Sequence, residues 1–382
     1  LKRRQFLIGL GGVTGLGAAA LGGNVQQYGQ SQHRRARQNF TVVGQHSLRQ
    51  RAAAKGLLFG AATHGKTLAT DPTFAQQFRQ ECAIVVPEGE LKWRTLRPKP
   101  DQFNFQPGDW LADFARRHQL LLRGHTLVWH GSMPDWLPQV ATAQNAEMLL
   151  TEHISRVVKH YAGQVHSWDV VNEAIWPQDQ QPYALRHTIW HRLLGADYIE
   201  LAFKTAAAAD PKAMLVYNDF GLDYDTWSGN QKRAAVLALL ERLKTRGTPI
   251  HALGIQAHLW GKDSLSRFNP RRLRQFIRDV ASLGLKVIIT ELDVADLHFP
   301  APLAIRDRLV AAAYADYLQA VLAEPAVIAI LTWGLSDRYT WLAKDHSRSD
   351  HLSVRPLPLD AQLQRKLAWN AIARSFDNCP KR

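Results

Sequence analysis

Apolar residues recur along this chain in short unbroken runs, separated by segments of helical period. Eight runs predict buried strands: Leu57–Ala61, Ala83–Val86, Leu120–Leu122, Val165–Val171, Met214–Tyr217, Ala252–Gln256, Lys286–Thr290 and Val327–Trp333. Between them lie amphipathic segments such as Gln231–Leu243 and Ile305–Leu322. Asp71-Pro72, Asp210-Pro211 and Asn269-Pro270 mark helix boundaries or turns. From about Ser47 onward no linker or low-complexity segment divides the chain. Strand and helix alternating eight times predict an α/β fold, a single (β/α)8 TIM barrel over residues 47–376, rather than a doubly wound sheet.

Polar residues gather where these runs end. The second run is followed by Pro87-Glu88-Gly89-Glu90-Leu91-Lys92-Trp93, the third by Arg123-Gly124-His125-Thr126-Leu127-Val128-Trp129-His130. The fourth ends in Asn172-Glu173 and the fifth in Asn218-Asp219. The sixth carries Gln256 and His258, the seventh Glu291 and Asp293, and the eighth Trp333, with Trp341 beyond. In a (β/α)8 barrel the C-terminal strand ends meet at the active site, whereas residues kept for stability would scatter over both faces. Glu173 and Glu291 each close an apolar run. A carboxylate pair facing one another there is the minimum equipment for glycosidic cleavage, one as general acid and one as nucleophile or base.

Composition narrows the classes. The 46% hydrophobic share suffices for a core, and 12 Trp are enough for some to line a groove, where flat, partly polar rings suit sugar faces. Net charge is +14, and setting aside Lys2, Arg3 and Arg4 leaves +11. So basic a surface fits nucleic acid or an anionic polysaccharide. The basic residues are dispersed, however, apart from His33–Arg37 and Arg271–Arg274. No phosphate-cradling glycine loop follows any strand, and no HxxxH spacing supports a metal hydrolase. Cys82 and Cys379 form no zinc-type pair; Cys82 opens an apolar run and reads as a buried small hydrophobe, and a disulfide is allowed but not required.

At the N-terminus, Lys2-Arg3-Arg4-Gln5-Phe6-Leu7 precedes a glycine-rich apolar run ending near Ala18-Ala19-Ala20. This predicts an export signal over 1–23, its Arg-Arg core resembling a twin-arginine signal, with a periplasmic or extracellular product. The run is too short and glycine-rich for a stable membrane span. Residues 24–46 then form a Gln-rich lead-in, either a flexible spacer or an arm packed on the barrel, and 377–382 a short tail.

Taken together, Glu88-x-x-x-Lys92-Trp93, Gly124-His-Thr-Leu-Val-Trp-His130, Trp168-Asp-Val-Val-Asn-Glu-Ala174, Ile255-Gln-Ala-His258, Ile289-Thr-Glu-Leu-Asp293, Thr332-Trp-Gly334 and Arg355-Pro-Leu-Pro-Leu-Asp360 resemble the β-1,4-xylanases of glycoside hydrolase family 10, from about Ser47 to Phe376. The resemblance implies a retaining endo-β-1,4-xylanase that acts without cofactor or metal on xylan or xylo-oligosaccharides, as a monomer that does not bind nucleic acid. It makes Glu173 the acid/base and Glu291 the nucleophile, with carboxyls about 5–5.5 Å apart. Asn172, His258 and Asp293 would support them, Asn172 bonding the sugar 2-hydroxyl. Glu88, Lys92, His125 and Gln256 match glycone-binding positions, and Trp129, Trp333 and Trp341 the aromatic walls. Asn218-Asp219 fits either hydrogen-bonded support or sugar contact, and His64 either a ligand or a structural role. One departure stands out. Where the family usually has Asn after the first glutamate, this chain has Gly89, so a glycone hydrogen bond worth roughly 0.5–1.5 kcal/mol is missing. The alternatives are a retaining hydrolase of another β-1,4-glycan, or a barrel that binds glycan without turnover.

Overall fold

The computed structural model describes residues 38–382; the export signal expected over 1–23 lies outside the described residues, as does the lead-in before Gln38. Among the described residues ten strands form: β1 (Leu58–Thr63), β2 (Ile84–Pro87), β3 (Leu121–Gly124), β4 (Val128–Trp129), β5 (Val165–Asn172), β6 (Met214–Asp219), β7 (Ala252–Ile255), β8 (His258–Trp260), β9 (Lys286–Ala295) and β10 (Val327–Thr332). Eight of them close a parallel barrel in the order β10-β1-β2-β3-β5-β6-β7-β9, with β9 returning to β10. The eight apolar runs fall on these eight strands, and the fold is the single (β/α)8 barrel that the alternation predicts. The amphipathic segments become the helices Trp227–Thr245 and Leu303–Val321.

Period-two alternation sorts each strand into two cores. Ile84 and Val86 of β2, with Ala329 and Leu331 of β10, belong to a cluster free of helical residues, which fills the barrel interior. Their neighbours Val85 and Ile330 face outward and join the continuous core beneath the helices. Trp93, Trp168, Trp190 and Trp369 are fully buried. Burying a side chain of this kind stabilises by at least about 1.5–3 kcal/mol.

Local signals account for helix boundaries. Asp71 caps the helix Pro72–Glu81 by accepting from the Phe74 N–H, with Pro72 in the first turn. Asn269 does the same for Pro270–Ser282, accepting from Arg271 and Arg272. Asp210 closes the helix Tyr198–Ala209.

Two short strands depart from the eight-run pattern. β4 adds to β5, and β8 adds to the far end of β9, pairing His258 with Asp293 and Trp260 with Ala295. β9 therefore continues past the apolar run, and Glu291 and Asp293 lie inside it rather than after its end. The run's chemistry changes at Glu291, but its hydrogen-bonding partner does not run out.

Residues 38–46 lie on the outside of the barrel. Phe40 is buried, and Arg308, Arg374 and Arg51 donate to the carbonyls of Gln38, Thr41 and Val43 at 2.8, 2.8 and 2.9 Å. Cys82 and Cys379 are free, buried thiols. Among the described residues no helix is long and apolar enough to cross a membrane.

Candidate active site

A cleft of about 500 Å³ opens at the C-terminal ends of the strands. Glu88, Lys92, His125, Trp129, Asn172, Glu173, Gln256, His258, Glu291, Trp333 and Trp341 all line it. Asp293 lies just behind, fully buried. The expected site residues thus converge from β2, β3, β5, β7, β9 and β10 and the segments that follow them.

Glu291 is held by two donors. His258 Nε2 lies 3.1 Å from its Oε2, and Asn218 Nδ2 donates to its Oε1 at 2.8 Å. Burial pushes the Glu291 carboxyl up. The His258 hydrogen bond, the charges of His125 and His258 and the Asn218 hydrogen bond outweigh that and hold it down at about 2. The other ring nitrogen of His258 faces Asp293 Oδ1 at 3.0 Å. Carboxylates only accept, so both ring nitrogens donate and His258 is an imidazolium. Burial opposes that charge, but Asp293 first and Glu291 second raise its pKa well above the ordinary histidine value. Trp341 Nε1 donates to the remaining Asp293 oxygen at 2.8 Å, so one aromatic wall is fixed to the same network.

Glu173 follows β5 with φ at +59°, a left-handed conformation that costs a non-glycine residue about 1–2 kcal/mol. Its backbone is tied on both sides: its N–H donates to the Asn218 carbonyl at 2.9 Å, and its carbonyl accepts from Arg186 Nε at 2.9 Å. The turn aims the carboxylate into the cleft, where Gln256 Nε2 donates to Oε1 at 3.1 Å. His130 Nε2 stands 4.0 Å from Oε2. Burial, then the Arg186 charge, lowers the His130 pKa to about 4, so this imidazole is neutral near pH 7.

Asn172 bridges the two halves. Its side-chain oxygen accepts from Asn218 Nδ2 at 2.9 Å and from Gln256 Nε2 at 3.2 Å. With the oxygen occupied by two donors, the amide NH2 is the end presented to the cleft. Ala257, at φ +61°, lets the chain turn between Gln256 and His258 so that both reach the site.

On the β2 side, Lys92 Nζ sits over the rings of Trp129 and Trp333 at 4.7 and 5.7 Å. Burial lowers the Lys92 pKa against the pull of Glu291, Glu88 and Glu173. Burial also raises the Glu88 pKa, against the charges of His64 and Lys92. His125 is anchored through Nδ1 on Asp169 Oδ2 at 2.9 Å, leaving Nε2 for a ligand. Arg123 pairs with the other Asp169 oxygen and with Ser167 Oγ at 2.8 Å. His64 rests on Glu90 and Glu88 at 3.3 and 3.5 Å, and its Cε1 would lie 3.3 Å from a Cβ placed on Gly89. Asn218 is a support, its oxygen accepting from Thr290 Oγ1 at 2.7 Å. Asp219 is fully buried, paired with Lys232 at 2.7 Å and accepting from Tyr217.

Phe220 and Asp345 also line the cleft, His130 stands beside the Glu173 carboxylate, and Arg186 braces the Glu173 backbone. None of the four carries a role in the motif reading. Phe220 directly follows Asn218-Asp219, so its place after a strand was the signal available. Arg186 arrives from a long loop and carries no such signal.

A closed parallel barrel whose strand ends bring two carboxylates into a polar, aromatic-walled cleft is the arrangement of a glycoside hydrolase. The chain matches the family profile of glycosyl hydrolase family 10 over residues 47–375, and it belongs to that family. It is 36% identical over 266 residues to the β-1,4-xylanase of Dictyoglomus thermophilum, covering 68% of this chain and 72% of that one. Endo-1,4-beta-xylanase B of Paenibacillus barcinonensis is 34% identical over 340 residues, 84% of this chain and 96% of the relative. The crystal structure of xylanase 10B from Thermotoga petrophila RKU-1 in complex with xylobiose superposes with a TM-score of 0.79 at 29% identity, covering 88% of this chain and 99% of that one.

Proposed function

We propose that this glycoside hydrolase is a retaining endo-β-1,4-xylanase, with Glu291 as nucleophile and Glu173 as acid/base. The observation that carries the reading is the bridge Glu291–Asn218–Asn172–Gln256–Glu173, which sets two carboxylates in different environments across one cleft. Glu291 is kept ionised by His258 and Asn218 and is free to attack the anomeric carbon. Glu173 gives its proton to the leaving glycosidic oxygen, and a glycosyl ester forms on Glu291. Glu173, now a base, takes a proton from water, which attacks the same carbon and releases the sugar with its configuration retained. The NH2 of Asn172, which also lies 3.4 Å from Glu173 Oε1, would donate to a sugar 2-hydroxyl, a contact that strengthens as the oxocarbenium-like state develops. Lys92, His125, Glu88 and Gln256 would hold the glycone sugars, and Trp129, Trp333 and Trp341 would form the aromatic walls of the cleft.

The basic head and apolar run of residues 1–23 support export to the periplasm or beyond. Reducing-sugar release from soluble glucuronoxylan, measured for the wild type, Glu291→Ala and Glu173→Ala beside a soluble cellulose derivative, tests the reading. Activity on xylan that disappears in Glu291→Ala is expected. Faster release from the cellulose derivative would replace xylan as the substrate, and tight xylan binding without turnover would remove the enzyme assignment.

A further inference from the structure

Trp260 is a large ring left outside any core: it is 37% exposed, while its neighbour Leu259 is buried to 1%. It closes β8, two residues after His258. Side chains two apart on a strand share a face, so Trp260 lies on the same side as His258, roughly 6.5–7 Å farther along. A row of rings joins it to the cleft. Trp260 meets His346 at 5.2 Å, and His346 meets Trp341 at 5.4 Å, the planes standing at 84° and 82°. Trp341 itself lines the cleft.

The backbone that carries the exposed ring is also held. The Trp260 N–H donates to the Tyr224 hydroxyl at 2.8 Å, and that hydroxyl lies 3.2 Å from the Trp260 carbonyl and 2.9 Å from buried Ser264 Oγ. One tyrosine therefore grips both polar backbone groups of the residue. Gly261 follows with no room for a side chain, since a Cβ there would meet Phe299 at 2.5 Å. An exposed indole on a fixed backbone has only two side-chain torsions to order, so it loses little conformational freedom on binding, which is what a stacking surface requires.

Its position around the barrel says which part of a substrate would reach it. In the ring of eight strands β7 stands four places from β2, directly opposite. Glu88 and Lys92 follow β2, whereas Trp260 belongs to the segment that follows β7. With Glu88 and Lys92 on the glycone side, a chain crossing the cleft past Glu173 and Glu291 leaves towards Phe220 and Trp260.

We propose that Trp260 is a sugar-stacking platform on the aglycone side, extending the cleft for the longer β-1,4-linked chains that the enzyme cuts internally. This rests on the xylanase reading and on the glycone assignment of Glu88 and Lys92. The test compares Trp260→Ala, Trp260→Phe and wild type on xylohexaose and on an aryl β-xylobioside, whose leaving group ends before the platform. Removing one aromatic stacking partner should lower kcat/KM on xylohexaose about two- to tenfold in Trp260→Ala. Trp260→Phe should recover most of it, and the aryl xylobioside should be cleaved at the wild-type rate by all three. Equal losses on both substrates would make Trp260 a structural support for His258 and overturn the proposal, as would no loss on either. A wild type inactive on both substrates would instead strike the xylanase reading, and the platform with it.

Discussion

Asn218 reaches Glu291 by passing over Gly254. The two stand in register on adjacent strands, Asn218 on β6 and Gly254 on β7, while Glu291 lies on β9 beyond. A Cβ at Gly254 would lie 2.2 Å from Asn218 Oδ1 and 2.9 Å from Thr290 Cγ2. The absent side chain is the passage through which one strand's amide orders a carboxylate two strands away. Gly254→Ala is therefore expected to lose stability by about 1–3 kcal/mol from overpacking. It should also lose the Asn218–Glu291 hydrogen bond, which is worth about 1.5–3 kcal/mol because the acceptor is charged, or tenfold and more in kcat. Urea unfolding and kcat on xylan measure the two effects. A folded Gly254→Ala with unchanged kcat would show that Asn218 does not set Glu291.

The two carboxylates should respond differently to the leaving group. Glu173→Ala removes proton donation, a contribution of about 10²–10⁴ in rate, and the loss falls on substrates whose leaving oxygen needs a proton. On xylan the variant should be slow by that factor. On a dinitrophenyl β-xylobioside, whose phenolate leaves unaided, the first step should stay close to wild type and glycosyl-enzyme should accumulate as a burst. Glu291→Ala should be inactive on both substrates. Equal defects of Glu173→Ala on both would remove it from the acid role.

The pair His258–Glu291 makes stability depend on pH from both sides. Glu291 has its folded pKa depressed from 4.5 to about 2, so its contribution is present above about pH 4.5 and is lost as pH falls towards 2. His258 has its folded pKa raised well above 6.5, so its contribution is complete below about pH 6.5 and is lost as pH rises through the raised value. Both are fully present between those limits. The stability difference between wild type and His258→Asn should therefore be greatest between about pH 4.5 and 6.5 and shrink on either side. Urea midpoints collected from about pH 3 to about pH 9 follow it, and a flat difference would mean the imidazolium pair adds nothing to the fold.

The barrel was legible because parallel strands buried on both faces announce themselves as apolar runs, and each of the eight runs became a strand. Site residues were legible where they close or directly follow those runs, as Trp333, Asn172 and Glu173 do. What the pattern could not carry is reach. Gln256 and His258 both enter the cleft because Ala257 turns left-handed, and Glu291 lies within a strand because β10 pairs with β9 as far as Leu292 and the three-residue β8 carries the pairing on to Ala295. Periodicity is blind to a single residue's φ. Arg186, which fixes the Glu173 carbonyl, comes from a loop with no period at all.

Gly89 and His64 should be coupled. Relative to the family pattern this chain lacks an Asn at 89, and the room such a side chain would need is narrowed by the His64 ring, 3.3 Å from the Cβ position. His64 is itself held by the Glu90 hydrogen bond, and that bond is the largest cause of its raised pKa, which burial opposes and the Glu88 and Glu90 charges support. Gly89→Asn alone is thus expected to gain little, because the new side chain must displace a ring that two carboxylates hold. Combined with His64→Ala, the amide has space to reach a distal glycone sugar. The double variant should then bind more tightly by about 0.5–1.5 kcal/mol, one neutral hydrogen bond. A double-mutant cycle on kcat/KM for xylotetraose reads this out as a coupling term of that size. Additive effects would mean that His64 does not stand in the way, and that the weaker glycone grip expected of Gly89 is compensated elsewhere along the cleft.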